Sequence, residues 1–248
     1  MQPTTDILPN ESVEDLQLEG LRLIQKKEGF RFGTDAVLLA DFAKKVSSKK
    51  TLDLCTGTGI VPILLAGKTK TLEIHGLEIQ AEIAQMAKRS VILNSLDERV
   101  KITEGDLKNA LEYYAKSEFD LITCNPPYMK SGSAILNKTD NKIISRHEVM
   151  CTLDDIVKIS AKLLKPMGHF VVVHRPNRLV DLLFGMRENS IEPKTIRFVH
   201  PSAGKPPILF LVDGMKGANR DIKILEPLIL YDEMGNESEE LKKIYGRE

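Results

Sequence analysis

The sequence predicts an α/β fold, in which a mostly parallel sheet of seven strands carries helices on both faces and contains one antiparallel strand. Five apolar runs of strand length alternate with helical segments, and this alternation is typical of a parallel sheet with right-handed crossovers. A glycine-rich turn follows the first of these strands. The last two strands, 196–200 and 208–213, have no helix between them, which predicts a hairpin that makes one strand antiparallel.

Length and composition favour one large domain. The chain has 248 residues, which is enough for a sizeable core. Its 35 basic and 35 acidic side chains balance, so a general nucleic-acid coat protein is disfavoured, although a local basic patch is compatible with this balance. Cys55, Cys124 and Cys151 lack metal or redox spacing and are expected to be reduced, which predicts a cytoplasmic location. No signal peptide or membrane-length apolar run is found, so we expect no membrane partner. The cysteine spacing gives no metal motif, and no metal ion is expected.

Short elements precede the sheet. Apolar residues within 16–24 predict a small hairpin, with Glu28 and Gly29 in its turn. Thr34 or Asp35 is expected to cap a helix that runs to about residue 45. The same turn is also a candidate for closing over a bound cofactor.

A glycine turn joins the first strand of the sheet, 51–55, to the next helix. Gly57 and Gly59 permit backbone conformations that are closed to other residues, and they let a ligand approach the main chain. Asp53 lies inside the strand, where a small amine-bearing ligand could meet it. Pro62 stands where a dinucleotide-binding motif has its third glycine, so the turn favours a different cofactor.

Acidic residues follow the next two strands. Glu78 is near the end of strand 72–79, where a carboxylate commonly accepts both ribose hydroxyls of an adenosine, although a surface charge is the alternative. An amphipathic helix, 81–94, comes next. Asp106 follows the third strand, 100–103; it is a candidate for the adenine edge and equally for an ordinary turn aspartate.

The fourth strand, at 119–124, ends in the residues Asn125, Pro126, Pro127 and Tyr128. Proline has no N–H group and a fixed φ, so these residues stop the strand and form a stiff turn. Ligands of open α/β sheets bind just beyond the carboxyl ends of the strands, which makes this turn a candidate active site. An ordinary Pro-Pro turn is the alternative.

A polar loop, 129–148, follows the turn and is too long for a simple connection. Its excess of basic over acidic residues suits a phosphate-bearing substrate, and Lys26 and Lys27 are expected to contribute, although a solvated loop explains the charges equally well. Thr152 is expected to cap the next helix. An edge strand is expected within 222–231, and the acidic tail after residue 231 is expected to be peripheral.

Over about residues 30–215 the chain resembles the class I S-adenosylmethionine-dependent methyltransferases, whose fold is Rossmann-like. The strand, the glycine turn and the Asn-Pro-Pro-Tyr motif carry this resemblance, although that family usually has glycine where this chain has Cys55. A closer resemblance is to the bacterial tRNA(Val) adenine-N6-methyltransferases. It depends on the combination of Arg-Phe-Gly-Thr-Asp at 31–35, Asn-Pro-Pro-Tyr at 125–128, Arg-His-Glu at 146–148 and Lys-Gly at 216–217.

This resemblance implies methyl transfer from S-adenosylmethionine to the N6 amine of an adenine in tRNA, the adenosine 3′ to the anticodon of tRNA(Val). It also implies an N-terminal extension at 1–30, a methyltransferase domain at 31–232 and a C-terminal tail at 233–248. The implied catalytic residues are Asn125, Pro126, Pro127 and Tyr128. The implied cofactor-binding residues are Gly33, Thr34, Asp35, Asp53, Cys55, Gly57, Gly59, Glu78, Ile79, Asp106, Leu107 and Asn125. The candidate substrate-binding residues are Lys130, Lys138, Lys142 and Arg146.

Other functions share parts of this pattern. Asn-Pro-Pro-Tyr also occurs in glutamine methyltransferases that act on release factors and in base methyltransferases of ribosomal RNA and DNA. Release-factor enzymes normally carry a separate helical N-terminal domain, and this chain has only about 30 residues at the corresponding place, which argues against them. A catalytically silent RNA-binding module would carry a broken cofactor loop or catalytic turn, and both look intact. The sequence does not reveal the oligomeric state.

Overall fold

A computed structural model describes residues 5–28, 33–127 and 151–247 of the chain. Its strands are β1 (Glu11–Asp15), β2 (Arg22–Lys26), β3 (Lys50–Leu54), β4 (Glu73–Glu78), β5 (Val100–Glu104), β6 (Phe119–Cys124), β7 (Leu164–His174), β8 (Ile191–His200), β9 (Leu209–Lys216), β10 (Lys223–Ile224) and β11 (Leu228–Ile229). Its helices are α1 (Thr34–Ala43), α2 (Ile60–Lys68), α3 (Ala81–Leu93), α4 (Leu153–Leu163), α5 (Leu179–Glu188) and α6 (Glu239–Ile244), with 3₁₀ turns at Leu107–Glu112 and Pro176–Arg178.

The main sheet has the order β10-β8-β9-β7-β6-β3-β4-β5 within the described ranges, and β11 also pairs with β8. The strands from β5 to β7 in this order are parallel, whereas β9 is antiparallel to both β7 and β8. These pairings confirm the predicted mostly parallel sheet with one antiparallel strand. They also bring the carboxyl ends of six strands together, namely β3, β4, β5, β6, β7 and β8. We call the boundary of the sheet that these strand ends form the carboxyl edge.

Each face of the sheet has its own apolar core. Successive side chains of a strand point to opposite faces, and Phe170 and Val171 on β7 accordingly belong to different clusters. On one face, Val171 packs with buried residues of α1, α2 and α3, such as Leu39 and Ile63. On the other face, Phe170 packs with buried residues of α4 and α5. The catalytic candidates therefore stand at the edge of a sheet that is supported on both sides.

The N-terminal hairpin turns at a different place from the one predicted. Its strands are joined by residues 16–21, whereas Glu28 follows β2 and Gly29 lies outside the described residues. Gln17 and Glu19 have positive φ, which these residue types rarely adopt, so the sequence did not predict a turn at this place.

Strand β2 also docks on a helix of the main domain. The Ile24 N–H donates to Ser90 Oγ at 3.0 Å, and the Arg22 N–H donates to Asn94 Oδ1 at 2.8 Å. Ser90 is on α3 and Asn94 directly follows this helix, so side chains of α3 and its C-terminal cap satisfy backbone donors of β2 that face away from β1.

The two predicted helix caps have opposite outcomes. Helix α1 begins after Gly33, which makes no side-chain cap, so the prediction that Thr34 or Asp35 caps it is wrong. Asp35 instead lies in the first turn, and its Oδ1 accepts from the Ala36 N–H at 3.1 Å. The Thr152 cap is confirmed, because its hydroxyl accepts from the Asp155 N–H at 3.1 Å and Asp155 bonds back to the Thr152 N–H at 2.9 Å.

The C-terminal segment contributes to the core, contrary to the expected peripheral tail. Leu241 and Ile244 on α6 are buried in the same cluster as α1. Lys68 Nζ donates to the Ile244 carbonyl at 2.7 Å and so ties this segment to the end of α2. No helix in the described ranges has the length and apolar character needed to cross a membrane.

Candidate active site

The glycine turn between β3 and α2 is built from left-handed backbone conformations. Cys55, Gly57 and Gly59 have φ values of 57°, 58° and 85°. A side chain added at Gly57 would meet no atom within 4 Å, so open space lies above this residue. One added at Gly59 would approach the Ala87 side chain at 3.3 Å, so this glycine permits close helix packing. The positive φ of Cys55 explains why related methyltransferases usually have glycine at this position, since a left-handed backbone costs other residues roughly 1–2 kcal/mol.

Glu78 and the glycine turn are brought together as predicted. The carboxylate is 5% exposed, and its Oε2 accepts from the Gly57 N–H at 2.9 Å. Its Oε1 accepts from the Gln80 N–H at 3.0 Å. The side chain of Gln80 adds a longer bond, from Nε2 to the same Oε1 at 3.4 Å. These bonds fix the orientation of the carboxylate and leave part of its capacity unused, because an ionised carboxylate has about four acceptor sites. Glu78 can therefore still accept hydroxyl donors from a ligand.

Asp53 is a buried acid beneath the turn. It is 1% exposed, and the Thr123 hydroxyl on β6 donates to its Oδ1 at 2.6 Å. Burial raises the pKa of Asp53 to about 7, since the Thr123 and Thr56 hydroxyls only partly offset desolvation and Glu78 adds repulsion. Thr56 Oγ1 makes no hydrogen bond of regular geometry, so Thr123 is the stronger partner. Thr123 is 70 residues away in sequence, and no local signal pointed to it.

The Asn-Pro-Pro turn stands beside the glycine turn. It follows β6, which pairs with β3 on one side and β7 on the other; Cys124 is opposite both Leu54 and Val172. Pro126 is buried, whereas Asn125 and Pro127 are partly buried. Tyr128 and the candidate substrate-binding residues all lie outside the described residues, namely Lys130, Lys138, Lys142 and Arg146.

Three cysteine side chains lie together beside these two turns, since the Cys55 thiol hydrogen-bonds with those of Cys124 and Cys151. Cys124 is fully buried, Cys55 and Cys151 pack against the same apolar cluster, and all three are free. Hydrogen bonding with Cys124 and burial raise the pKa of Cys55, and burial raises that of Cys124. The thiols are therefore neutral at physiological pH and pack as small apolar groups.

The other predicted cofactor residues have mixed positions. Asp106 Oδ1 accepts from the Lys108 N–H at 2.9 Å and caps the 3₁₀ turn Leu107–Glu112, as the turn-aspartate alternative predicted. The Leu107 side chain is buried in the core, and Ile79 is partly buried after β4. Thr34 Oγ1 accepts from the Tyr245 hydroxyl at 3.4 Å. The structure thus joins Gly57 and Glu78 by a hydrogen bond and holds Asp53 near enough for Glu78 to raise its pKa. None of the other predicted residues is joined to these three by a described hydrogen bond.

His174 is a polar residue at the carboxyl edge that no sequence pattern indicated. It ends β7, and extension of the β6–β7 register places it beside Pro126. The imidazole is 6% exposed, and its Nδ1 accepts from the Arg175 N–H at 2.7 Å. Burial, followed by repulsion from Arg178, lowers the pKa of His174 to about 4. A neutral imidazole therefore adjoins the Asn-Pro-Pro turn at physiological pH.

No cluster of three or more His, Cys, Asp or Glu residues suitable for a metal ion is found among the residues that the structure describes.

Sequence comparisons agree with this architecture. The family model for the methyltransferase small domain matches residues 27–185. A Porphyromonas gingivalis protein named tRNA1(Val) (adenine(37)-N6)-methyltransferase is 31% identical over 158 residues, which are 61% of this chain and 61% of that protein. A Phocaeicola vulgatus protein of the same name is 27% identical over 177 residues, which are 71% of this chain and 73% of that protein.

Solved structures share the fold. A predicted O-methyltransferase from Agrobacterium tumefaciens has a TM-score of 0.70 at 20% identity, covering 86% of this chain and 96% of its own. A geranyl diphosphate C-methyltransferase from Streptomyces coelicolor, crystallised with S-adenosyl-L-homocysteine, has a TM-score of 0.52 at 12% identity, covering 72% of this chain and 75% of its own. These likenesses confirm the predicted fold class.

Proposed function

The chain belongs to the methyltransferase small domain family, and we propose that it transfers a methyl group from S-adenosylmethionine to the N6 amine of an adenine in tRNA. The proposed target is the adenosine 3′ to the anticodon of tRNA(Val). The observation that carries the proposal is the position of the Asn-Pro-Pro turn, which follows β6 beside β3, the strand that contains Asp53 and leads into the glycine turn where Gly57 bonds to Glu78. The names of the relatives support the choice of substrate.

Gly57, Glu78 and Asp53 fit S-adenosylmethionine. The open space above Gly57 lets a ligand approach the main chain, and Glu78 can accept the two ribose hydroxyls. Asp53 supplies an acid for the amino group of the ligand. When bound, the cofactor supplies an electrophilic methyl group, so the protein needs to hold and orient two reactants rather than form a covalent bond to either.

Asn125 and Pro126 are proposed to act on the adenine. The lone pair of an N6 amine is delocalised into the ring, which makes it a poor nucleophile. The side-chain oxygen of Asn125 and the carbonyl of Pro126 would accept the two amine hydrogens and stabilise a localised lone pair in the transition state. Proline stiffness holds both acceptors, and Tyr128 is proposed to stack on the base, a contact worth roughly 1–3 kcal/mol.

A protein-glutamine methyltransferase is the second candidate, because a glutamine amide offers the same pair of N–H donors to Asn125. The proposed function is tested by incubating the protein with radiolabelled S-adenosylmethionine and separate pools of tRNA, ribosomal RNA, DNA and release factor. We expect label in tRNA, recovered as N6-methyladenosine after digestion, and loss of this label in Asn125→Ala. Label in release factor and not in tRNA would refute the tRNA assignment. A cytoplasmic location is part of the proposal and agrees with the three free cysteines.

A further inference from the structure

Helix α5 presents an exposed apolar face. Val180 and Phe184 are four residues apart, so they are neighbours on one side of the helix. They are 77% and 66% exposed, whereas Leu182 and Met186, on the other side, are fully buried in the core. Single exposed apolar residues are ordinary on a protein surface, but two large ones side by side mark a candidate contact surface.

A groove runs beside this face, between α4 and α5. Its volume is about 400 Å³, and its lining includes Leu153 and Val157 of α4 together with Phe184 and Gly185 of α5. A side chain added at Gly185 would have only Val157 within 4 Å, at an ordinary contact distance of 3.9 Å. Glycine weakens the interior of a helix, and packing within one copy gives no reason for it here. Close approach of another molecule does. We call the groove and the exposed face of α5 the α4–α5 surface.

The charges of the α4–α5 surface cancel. Its three acidic and three basic residues are Asp154, Asp181, Glu188, Lys158, Arg178 and Arg187. A surface without net charge gives no general attraction for a polyanion such as RNA, and it does not repel an identical surface. The α4–α5 surface therefore fits a second copy of this chain better than a nucleic acid.

The charges of α5 are also arranged symmetrically about Phe184. Asp181 precedes Phe184 by three residues, and Arg187 follows it by three. Three residues turn an α-helix by about 300° and advance it by about 4.5 Å, so the two charges lie equally far from Phe184 and on opposite sides of it. A two-fold axis through Phe184 reverses the helix and exchanges these sides. It therefore brings Asp181 of one copy over Arg187 of the other.

Both side chains are accessible for such a contact. The side chain of Asp181 is 62% exposed and pairs with Arg178 at 2.8 Å, and that of Arg187 is 47% exposed. Arg187 approaches Glu192 through its Nε at 3.3 Å, which engages one of the five N–H donors of a guanidinium group. Exposed pairs of this kind contribute little within one copy, so they can be shared with a second copy at small cost.

We infer that two copies of the chain associate through the α4–α5 surface, with their α5 helices antiparallel about Phe184. Phe184 of each copy lies against the groove of the other, and Asp181 of each copy lies beside Arg187 of the other. The same patch thus serves both copies, as a two-fold dimer requires. This inference does not rest on the proposed function, because the contact is independent of methyl transfer.

The test is sedimentation velocity of the full chain over a series of concentrations, in which we expect wild type to dimerise. Asp181→Arg and Arg187→Asp should each raise the dissociation constant of the dimer by about 10-fold or more, because both charge contacts across the axis become repulsive. An equimolar mixture of the two variants should restore dimerisation, because a mixed dimer again sets opposite charges against each other at both contacts. Urea unfolding with an unchanged midpoint checks that each variant folds.

Phe184→Ala tests the apolar part of the contact and should also weaken the dimer by about 10-fold or more. Its matched control is Leu72→Ala, because Leu72 is 70% exposed and precedes β4, away from the α4–α5 surface. A wild type that stays monomeric at about 0.1 mM would overturn the inference, since any association would then be weaker than that concentration. So would a dimer that responds equally to Phe184→Ala and Leu72→Ala, or variants that remain monomeric when mixed.

Discussion

The buried carboxyl of Asp53 should make the stability of the cofactor-free protein depend on pH. Its ordinary pKa is 3.8, and burial raises the pKa to about 7 in the folded state. Between these two values the folded protein binds one proton more than the unfolded chain, so stability should fall as pH rises through this window. At about 1.36 kcal/mol per pKa unit, the rise corresponds to a loss of the order of 4 kcal/mol by pH 8.

Asp53→Asn removes this titration and preserves the shape of the side chain. The amide oxygen can still accept from the Thr123 hydroxyl, which donates to Asp53 Oδ1 at 2.6 Å. We therefore expect wild type to lose several kcal/mol relative to Asp53→Asn between pH 5 and pH 8. The assay is urea unfolding at a series of pH values without cofactor, with the difference between the two proteins taken at each pH.

Thr123→Val is a second variant, and it should strengthen the pH dependence of stability that Asp53→Asn removes. It deletes the hydrogen bond that lowers the pKa of Asp53, so the loss of stability with rising pH should extend to higher pH and become larger. If wild type and Asp53→Asn had parallel pH profiles, the carboxyl would be ionised in both folded and unfolded states across this range. Burial would then not raise the pKa of Asp53 as expected.

The remaining predictions concern the cofactor site, the catalytic turn and the N-terminal hairpin. Glu78→Ala should weaken S-adenosylmethionine binding by about 10-fold or more, because two charge-assisted hydrogen bonds are lost, and unchanged affinity in calorimetry would remove Glu78 from the site. Asn125→Ala should bind cofactor nearly normally and lose about 100-fold or more in turnover; retained turnover with weakened binding would contradict the acceptor role. Arg89→Ala should destabilise the fold by about 2–3 kcal/mol in urea unfolding, because the side chain of Glu11 is 2% exposed and would lose its bidentate partner. The control is Lys158→Ala, which removes an exposed ion pair with Asp154. An equally small change in both variants would show that the Arg89–Glu11 pair contributes little.

The main sheet was predictable because its signals are local. Apolar runs mark β3, β4, β5 and β6 to within a residue or two. The glycine turn is recognisable because Gly57 and Gly59 have left-handed backbone conformations, which other residue types rarely adopt. Glu78 was predictable because its position follows from the order of strand, turn and strand.

The features that sequence missed depend on contacts between distant segments or on unusual backbone. Thr123 is an unremarkable strand residue until the β3–β6 pairing places it beside Asp53. The hairpin turn at 16–21 uses Gln17 and Glu19 in left-handed conformations, which neither residue type favours. The acidic tail looked peripheral because its two core residues, Leu241 and Ile244, are separated by polar neighbours.

The position of β9 also sets an order of events during synthesis. Strand β8 leaves the ribosome before β9, yet it joins the sheet only through β9, which lies between β8 and β7. Until residue 216 has been made, β7 is therefore an open edge whose unpaired N–H and C=O groups can template pairing with another chain. The burial of Leu241 and Ile244 postpones completion of the core still further. Nascent chains that stall between β7 and β9 should therefore be the most prone to aggregate, and chains that are complete through β11 but lack α6 should be less so.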